Sequence, residues 1–180
     1  MIGNDLIDLS SWAQGEAERL ERYRRKVFQE EERGLLAQWP KPLAWQNALG
    51  WSLKEAAYKA HYRTGKDRIF APLSLRIESL EKEGDTYQGW LCVEGAYYQL
   101  YGEQRGGLLH SLAWKAGSPS PAWQLQVQRP GHFWHQGKCL RFYKDEAGAP
   151  WVASLDEGRD YYRPASLSHD GGRHAWAWQG

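Results

Sequence analysis

Leu43-Ala44-Trp45-Gln46-Asn47-Ala48-Leu49-Gly50-Trp51-Ser52-Leu53-Lys54-Glu55-Ala56-Ala57-Tyr58-Lys59-Ala60-His61-Tyr62 is the stretch on which the fold turns. It is rich in Ala, Leu, Lys and Trp, and Ala44, Ala48, Trp51, Glu55 and Lys59 fall near one angular sector at helical spacing. Pro40 and Pro42 stand just before it, where a ring that removes a donor ends one helix and lets the next begin. Gly65 stands just after it as a C-terminal stop. The pattern predicts one long helix over about 43–62.

Upstream, Ile2 to Leu9 alternates around Leu6, Ile7 and Leu9 and reads as a short first strand, with Ser10 or Ser11 able to cap a following helix. Trp12 to Trp39 is strongly charged around sparse apolar positions, which predicts a solvated helical pair whose second member starts at Phe28-Gln29-Glu30-Glu31-Glu32.

Downstream, the texture changes to strands: Leu73–Ile77, Tyr87–Val93, Tyr97–Tyr101, Leu108–Trp114, Trp123–Arg129, Leu140–Lys144, Trp151–Ser154, Ala165–Ser168 and His174–Trp178. Turn formers at Gly84-Asp85, Glu94-Gly95, Gly106-Gly107 and Gly148-Ala149-Pro150 separate them. Ala116 to Pro121 reads as a linker or long loop, and His132-Phe133-Trp134-His135 as packing and loop residues rather than a metal site. The expectation is an α+β fold: an N-terminal strand and helices, one of them long, packed on a mostly antiparallel sheet. A chain of 180 residues is most simply a single domain, 1–180, able to bury roughly 70% of its unfolded surface.

The formal charge is +1, from 23 basic and 22 acidic residues, so no overall field draws the chain to nucleic acid or to an anionic membrane. Any anion site must be local. Cys92 and Cys139 form no CxxC pair, no segment approaches ~18 uninterrupted apolar residues, and the acidic start lacks a signal-peptide pattern, so the expected location is cytoplasmic.

Chemistry comes from three short segments. Glu55 and Lys59, four apart on the long helix, project together; alone, such a pair is the ordinary decoration of an exposed helix. Asp5 of the first strand changes that reading, because Mg²⁺ takes one or two carboxylates together with waters and phosphate oxygens, and Asp5, Glu55 and a diphosphate would supply them. Asp8 is a second metal candidate if the strand bends; otherwise it caps the next helix. Ser168-His169 ends a predicted strand before Gly171-Gly172, where an imidazole could bind phosphate or assist a proton transfer, or simply pack.

Taken in order, these segments resemble the motifs of the 4′-phosphopantetheinyl transferase superfamily: Gly-x-Asp in Ile2-Gly3-Asn4-Asp5, the Trp-Ser-x-Lys-Glu-Ala-x-x-Lys element in Trp51 through Lys59, and Ser-x-Ser-His in Ser166-Leu167-Ser168-His169. Phe28 to Glu32 and Gly148-Ala149-Pro150-Trp151 are similar to the family's Phe-x-x-x-Glu helix start and Gly-x-Pro hairpin. The resemblance implies transfer of the 4′-phosphopantetheine arm of coenzyme A to a serine of an apo acyl, peptidyl or polyketide carrier protein, releasing 3′,5′-ADP, as in the holo-acyl-carrier-protein synthases. It implies Asp5 and Glu55 on Mg²⁺, with Glu55 or a water on that ion taking the serine proton. It also implies Lys59 on the diphosphate, and His169 with Ser168 on coenzyme A phosphate. Lys66, the backbone near Gly65 and Lys54 are further nucleotide candidates, with a solvent-facing role for Lys54 as the alternative.

The order of the motifs is that of the small synthases, which are usually trimers. Extra strands at about 87–129 look more like the larger monomeric enzymes, so monomer and homo-oligomer both stand. Eleven Trp and ten Tyr support a reading of another class, a non-catalytic aromatic-rich β module binding a carrier protein, peptide or glycan; those rings could equally fill a β core short of Ile and Val.

Overall fold

The computed structural model describes residues 1–12, 15–64, 70–126, 132–146, 149–155, 162–170 and 172–178. Strand β1 (Ile2–Asp8) leads into a short α1 (Leu9–Trp12), then α2 (Ala17–Val27), α3 (Glu30–Ala37) and the long α4 (Leu43–His61). Strands β2 (Leu75–Glu83), β3 (Thr86–Val93), β4 (Ala96–Arg105) and β5 (Leu108–Lys115) complete a five-stranded antiparallel sheet in the order β1-β5-β4-β3-β2. After the loop 116–121 the chain builds a second sheet from β6 (Ala122–Gln126), β7 (Phe133–His135), β8 (Lys138–Lys144), β9 (Pro150–Ser154), β10 (Tyr162–Asp170) and β11 (Arg173–Trp178). Its order is β6-β11-β10-β9-β8-β7, again antiparallel. The fold is α+β, as expected.

Helix α4 covers one face of the first sheet. Leu49, Leu53, Ala56, Ala57 and Ala60 are fully buried and belong to one core with Leu75, Ile77, Leu91, Val93, Leu109 and Ala113. The alanines matter because they let strand and helix approach. A Cβ on Gly3 would lie 2.0 Å from the Ala56 carbonyl oxygen and 2.6 Å from the Ala60 nitrogen, closer than any side chain tolerates. Gly3 therefore sets β1 directly on α4.

Sheet alternation assigns the rest of β1. Asp5 turns toward the helix side, while Ile2 and Leu6 pack against the second sheet through Ala177 and Ala175 of β11. One edge of β1 pairs with β5, with Asp5 opposite Ser111. The other edge is closed by side chains of β10: the Asn4, Leu6 and Asp8 backbone N–H groups donate to Ser166 Oγ (2.9 Å), Ser168 Oγ (2.9 Å) and Asp170 Oδ2 (2.7 Å). Three residues at period two thus satisfy an edge that would otherwise leave buried donors unpaired.

Aromatic side chains go mainly to the cores. Trp176, Trp178, Tyr87 and Tyr98 are among the largest fully buried side chains, and Phe142 stacks on Trp176 at 3.7 Å between ring centroids. Exposed rings include Trp90, Tyr97 and Trp134. Two sequence expectations need correction. Leu73–Ile77 is not a strand from its start, because Pro72–Ser74 forms a 3₁₀ turn and β2 then runs on to Glu83 past a bulge near Glu78. Phe133–His135, read as loop and packing residues, pairs with β8 as a short edge strand. Among the described residues no helix is long and apolar enough to cross a membrane.

Candidate active site

The side chains that the sequence singled out meet where β1 crosses α4. Lys59 Nζ donates to Asp5 Oδ1 at 2.9 Å and lies 3.8 Å from Glu55 Oε1. Asp5 is nearly buried, with its side chain 9% exposed, whereas Glu55 and Lys59 are 25% and 29% exposed and Lys59 lines a cleft. The Ser168 hydroxyl accepts the Leu6 N–H and donates to Asp5 Oδ1 at 3.1 Å, so one residue of β10 fixes both the strand and its carboxylate.

Two carboxylates share one ammonium here. Burial pushes the Glu55 carboxyl above the ordinary range; Lys59 opposes the shift and Asp5 adds to it. Tyr23, flanked by Trp12 and Trp51, has a phenol raised by burial and by the Glu55 charge, so it stays protonated at neutral pH beside that carboxylate. Hard oxygen donors with a net negative charge at the edge of a cleft fit a divalent cation of the Mg²⁺ type. Among the described residues, no group of three or more His, Cys, Asp or Glu side chains could hold a metal, so the candidate donors are Asp5 and Glu55 with the remaining positions left to solvent and phosphate.

Asp8 does not join them. Its Oδ1 accepts from the Ser10 N–H (3.0 Å) and Ser10 hydroxyl (2.7 Å) at the start of α1, and Arg173 lies 3.8 Å from its Oδ2. The Ser10 hydrogen bonds lower its carboxyl against an opposing cost of burial, and the Arg173 charge adds the least. It is the helix cap that the sequence offered as the alternative.

Lys54 is corrected more sharply, since neither nucleotide contact nor a solvent-facing role fits a fully buried ammonium. Its Nζ donates to Glu32 Oε2 (2.8 Å), the Val27 carbonyl (2.9 Å) and the Pro72 carbonyl (2.8 Å). Glu32 in turn accepts the Gln29 and Ile77 backbone N–H groups. His169 is exposed, opposite His174, on the face of β10 away from the serine side chains that reach β1. Gly65 and Lys66 lie outside the described residues.

A cleft of about 190 Å³ opens beside Lys59, lined by Tyr58, Tyr62, Arg63, Pro150, Ser166 and Leu167 among others. Arg63 donates to the Pro150 and Ala165 carbonyls and holds its guanidinium 5.3 Å from the Trp151 ring, tying the end of α4 to β9 and β10. The sequence reading favoured Lys66 and the backbone near Gly65 over Arg63 in the same turn, although Glu55, Lys59 and Arg63 continue one i, i+4, i+8 row. It missed His110, buried under β1 with Nε2 3.4 Å from Asn4 Nδ2; burial above all, then the Arg105 and Lys59 charges, pushes that imidazole down to about 3 and keeps it neutral.

The Asp5, Glu55 and Lys59 part of this geometry lies in a segment that a family model matches. The family model of the 4′-phosphopantetheinyl transferase superfamily matches residues 1–105, more than half of the chain. The chain belongs to this superfamily. Its match runs from β1 through β4, includes the segments that carry Asp5, Glu55 and Lys59, and supports phosphopantetheinyl transfer as the general chemistry of the chain. Ser168 and His169 lie beyond the matched residues. No curated protein matches the chain.

Proposed function

We propose that this transferase moves the 4′-phosphopantetheine arm of coenzyme A to a serine of an apo acyl, peptidyl or polyketide carrier protein, with Mg²⁺ as its cation. The observation that carries the reading is the meeting of Asp5 and Glu55 at Lys59, which lines the cleft. Mg²⁺ bound between Asp5 and Glu55 would supply charge neutralisation for a diphosphate and help align it.

The remaining chemistry is assigned to the chain's own groups. Lys59 neutralises the diphosphate, with Asp5 holding its ammonium in place. Ser168 holds Asp5 in turn, a supporting role in place of direct contact with coenzyme A. Glu55 accepts the proton of the carrier serine. The serine oxygen bonds to the β-phosphorus and the bond from that phosphorus to the bridging oxygen breaks. The departing group leaves as 3′,5′-ADP with that oxygen. Tyr58, Tyr62 and Pro150 give the cleft flat apolar walls for the nucleotide end.

Incubation with coenzyme A, Mg²⁺ and a panel of apo carrier proteins tests the assignment by mass. One phosphopantetheinyl group should be added to a carrier serine, and Glu55→Gln should slow the transfer at least about a hundredfold. An unchanged mass across the whole panel, with folded enzyme, would overturn it.

A further inference from the structure

The turn between β3 and β4 carries a residue that its backbone does not favour. Glu94 has φ 49° and Gly95 φ 76°, the pair of left-handed conformations of a two-residue hairpin, where Asn, Asp or Gly is usual at the first position. Glu94 and Gln136 are the non-glycine residues with positive φ among the described residues. Strain of this kind persists where the side chain is held by its surroundings, and the Glu94 carboxylate is so held.

Both of its oxygens reach the end of α4. Glu94 Oε1 accepts the Tyr62 hydroxyl at 2.9 Å, and Oε2 lies 3.2 Å from His61 Nε2. The other nitrogen of that imidazole, Nδ1, lies 3.0 Å from the hydroxyl of buried Tyr98. A neutral His61 protonated on Nε2 completes a single chain of donors: the Tyr98 hydroxyl to Nδ1, Nε2–H to Glu94, and the Tyr62 hydroxyl to Glu94. The Tyr62 ring is packed between His61, 4.6 Å away, and Tyr58, 4.9 Å away. Tyr58 and Tyr62 are the aromatic wall of the cleft that begins at Lys59.

We propose that Glu94 is a positioning residue that fixes this wall, through Tyr62 and His61, for the coenzyme A end of the site. The inference rests on reading that cleft as the coenzyme A side. Glu94 touches no reacting atom. It holds an aromatic surface in one orientation before the ligand arrives, so its loss weakens binding while the step at Asp5, Glu55 and Lys59 keeps its rate.

Glu94→Gly separates the two roles of the position, because glycine suits the backbone and removes the carboxylate. Calorimetry of coenzyme A binding in Mg²⁺, with steady-state transfer alongside, should give a thermal midpoint equal to or above wild type and an unchanged kcat. The Kd and KM for coenzyme A should rise by about tenfold, the size expected when one charge-assisted hydrogen bond no longer orders the wall. Tyr62→Phe, which removes only the hydroxyl, should move Kd in the same direction, and Glu94→Gln, which keeps an acceptor for Tyr62, should restore most of the affinity. If wild type binds coenzyme A and Glu94→Gly and Tyr62→Phe bind it equally well, the positioning role is wrong while the transferase reading stands. If wild type itself binds none, both fall together.

Discussion

Two lysines five residues apart on α4 make opposite use of the same chemistry. Lys54 is fully buried, and its ammonium donates to a carboxylate and two carbonyls. Lys59 is 29% exposed, and its carboxylate partners stand at 2.9 and 3.8 Å. At 100° per residue, Lys54 points toward α3 and the turn before β2, whereas Glu55 and Lys59 point toward β1. A closed set of partners makes an ion pair architectural, and an open set at a cleft leaves it available to a ligand. The Lys-Glu-Ala-x-x-Lys stretch is therefore two devices on one helix.

Each lysine can be removed to test that division. Lys54→Met strands Glu32 without its cation in the interior, a loss of about 3–5 kcal/mol that should lower Tm by roughly 10 °C while leaving transfer per folded molecule unchanged. Equal stability in thermal unfolding would break the comparison from the buried side. Lys59→Met should do the reverse, leaving Tm within a few degrees and raising the KM for coenzyme A by about tenfold, as one charge-assisted contact to phosphate disappears. A large drop in Tm with unaltered KM would make both lysines structural.

Glu55 sharpens the comparison with the smallest effect. A carboxyl whose folded pKa lies above its unfolded value binds its proton more tightly when folded, so stability falls as pH rises between the two values and the deficit is complete above the folded one. Without Mg²⁺, Glu55→Gln should match wild type in Tm near pH 4 and equal or exceed it by up to a few degrees near pH 8. A lower Tm at pH 8 would mean that the charged form is stabilised by the fold.

Much of the frame was legible because it rests on local signals. The long helix showed in its period and in the flanking prolines, and most strands in their alternation between turn glycines. Asp5 and Glu55 could be paired on the chemistry of hard cations. What joins them was not legible, because it is tertiary: the missing Cβ of Gly3 sets the crossing distance, and Ser166, Ser168 and Asp170 close the edge of β1. The fate of Lys54 depends on Glu32, 22 residues away, which also accepts the Ile77 N–H. Ser168, read beside His169 as one motif, splits from it because neighbours on a strand face opposite sides. Glu94-Gly95 was legible as a turn, but the contact of Glu94 with Tyr62 was not, since it joins residues 32 apart.

The central claim is that Asp5 of the first strand and Glu55 of the long helix act on one divalent cation facing a diphosphate. Calorimetric titration of coenzyme A with and without Mg²⁺, on wild type and on Asp5→Asn, tests it most directly. Wild type should bind at least about tenfold more tightly when Mg²⁺ is present, and Asp5→Asn should lose that gain while remaining folded. Equal affinity in both buffers, or a gain that survives Asp5→Asn, would contradict the account.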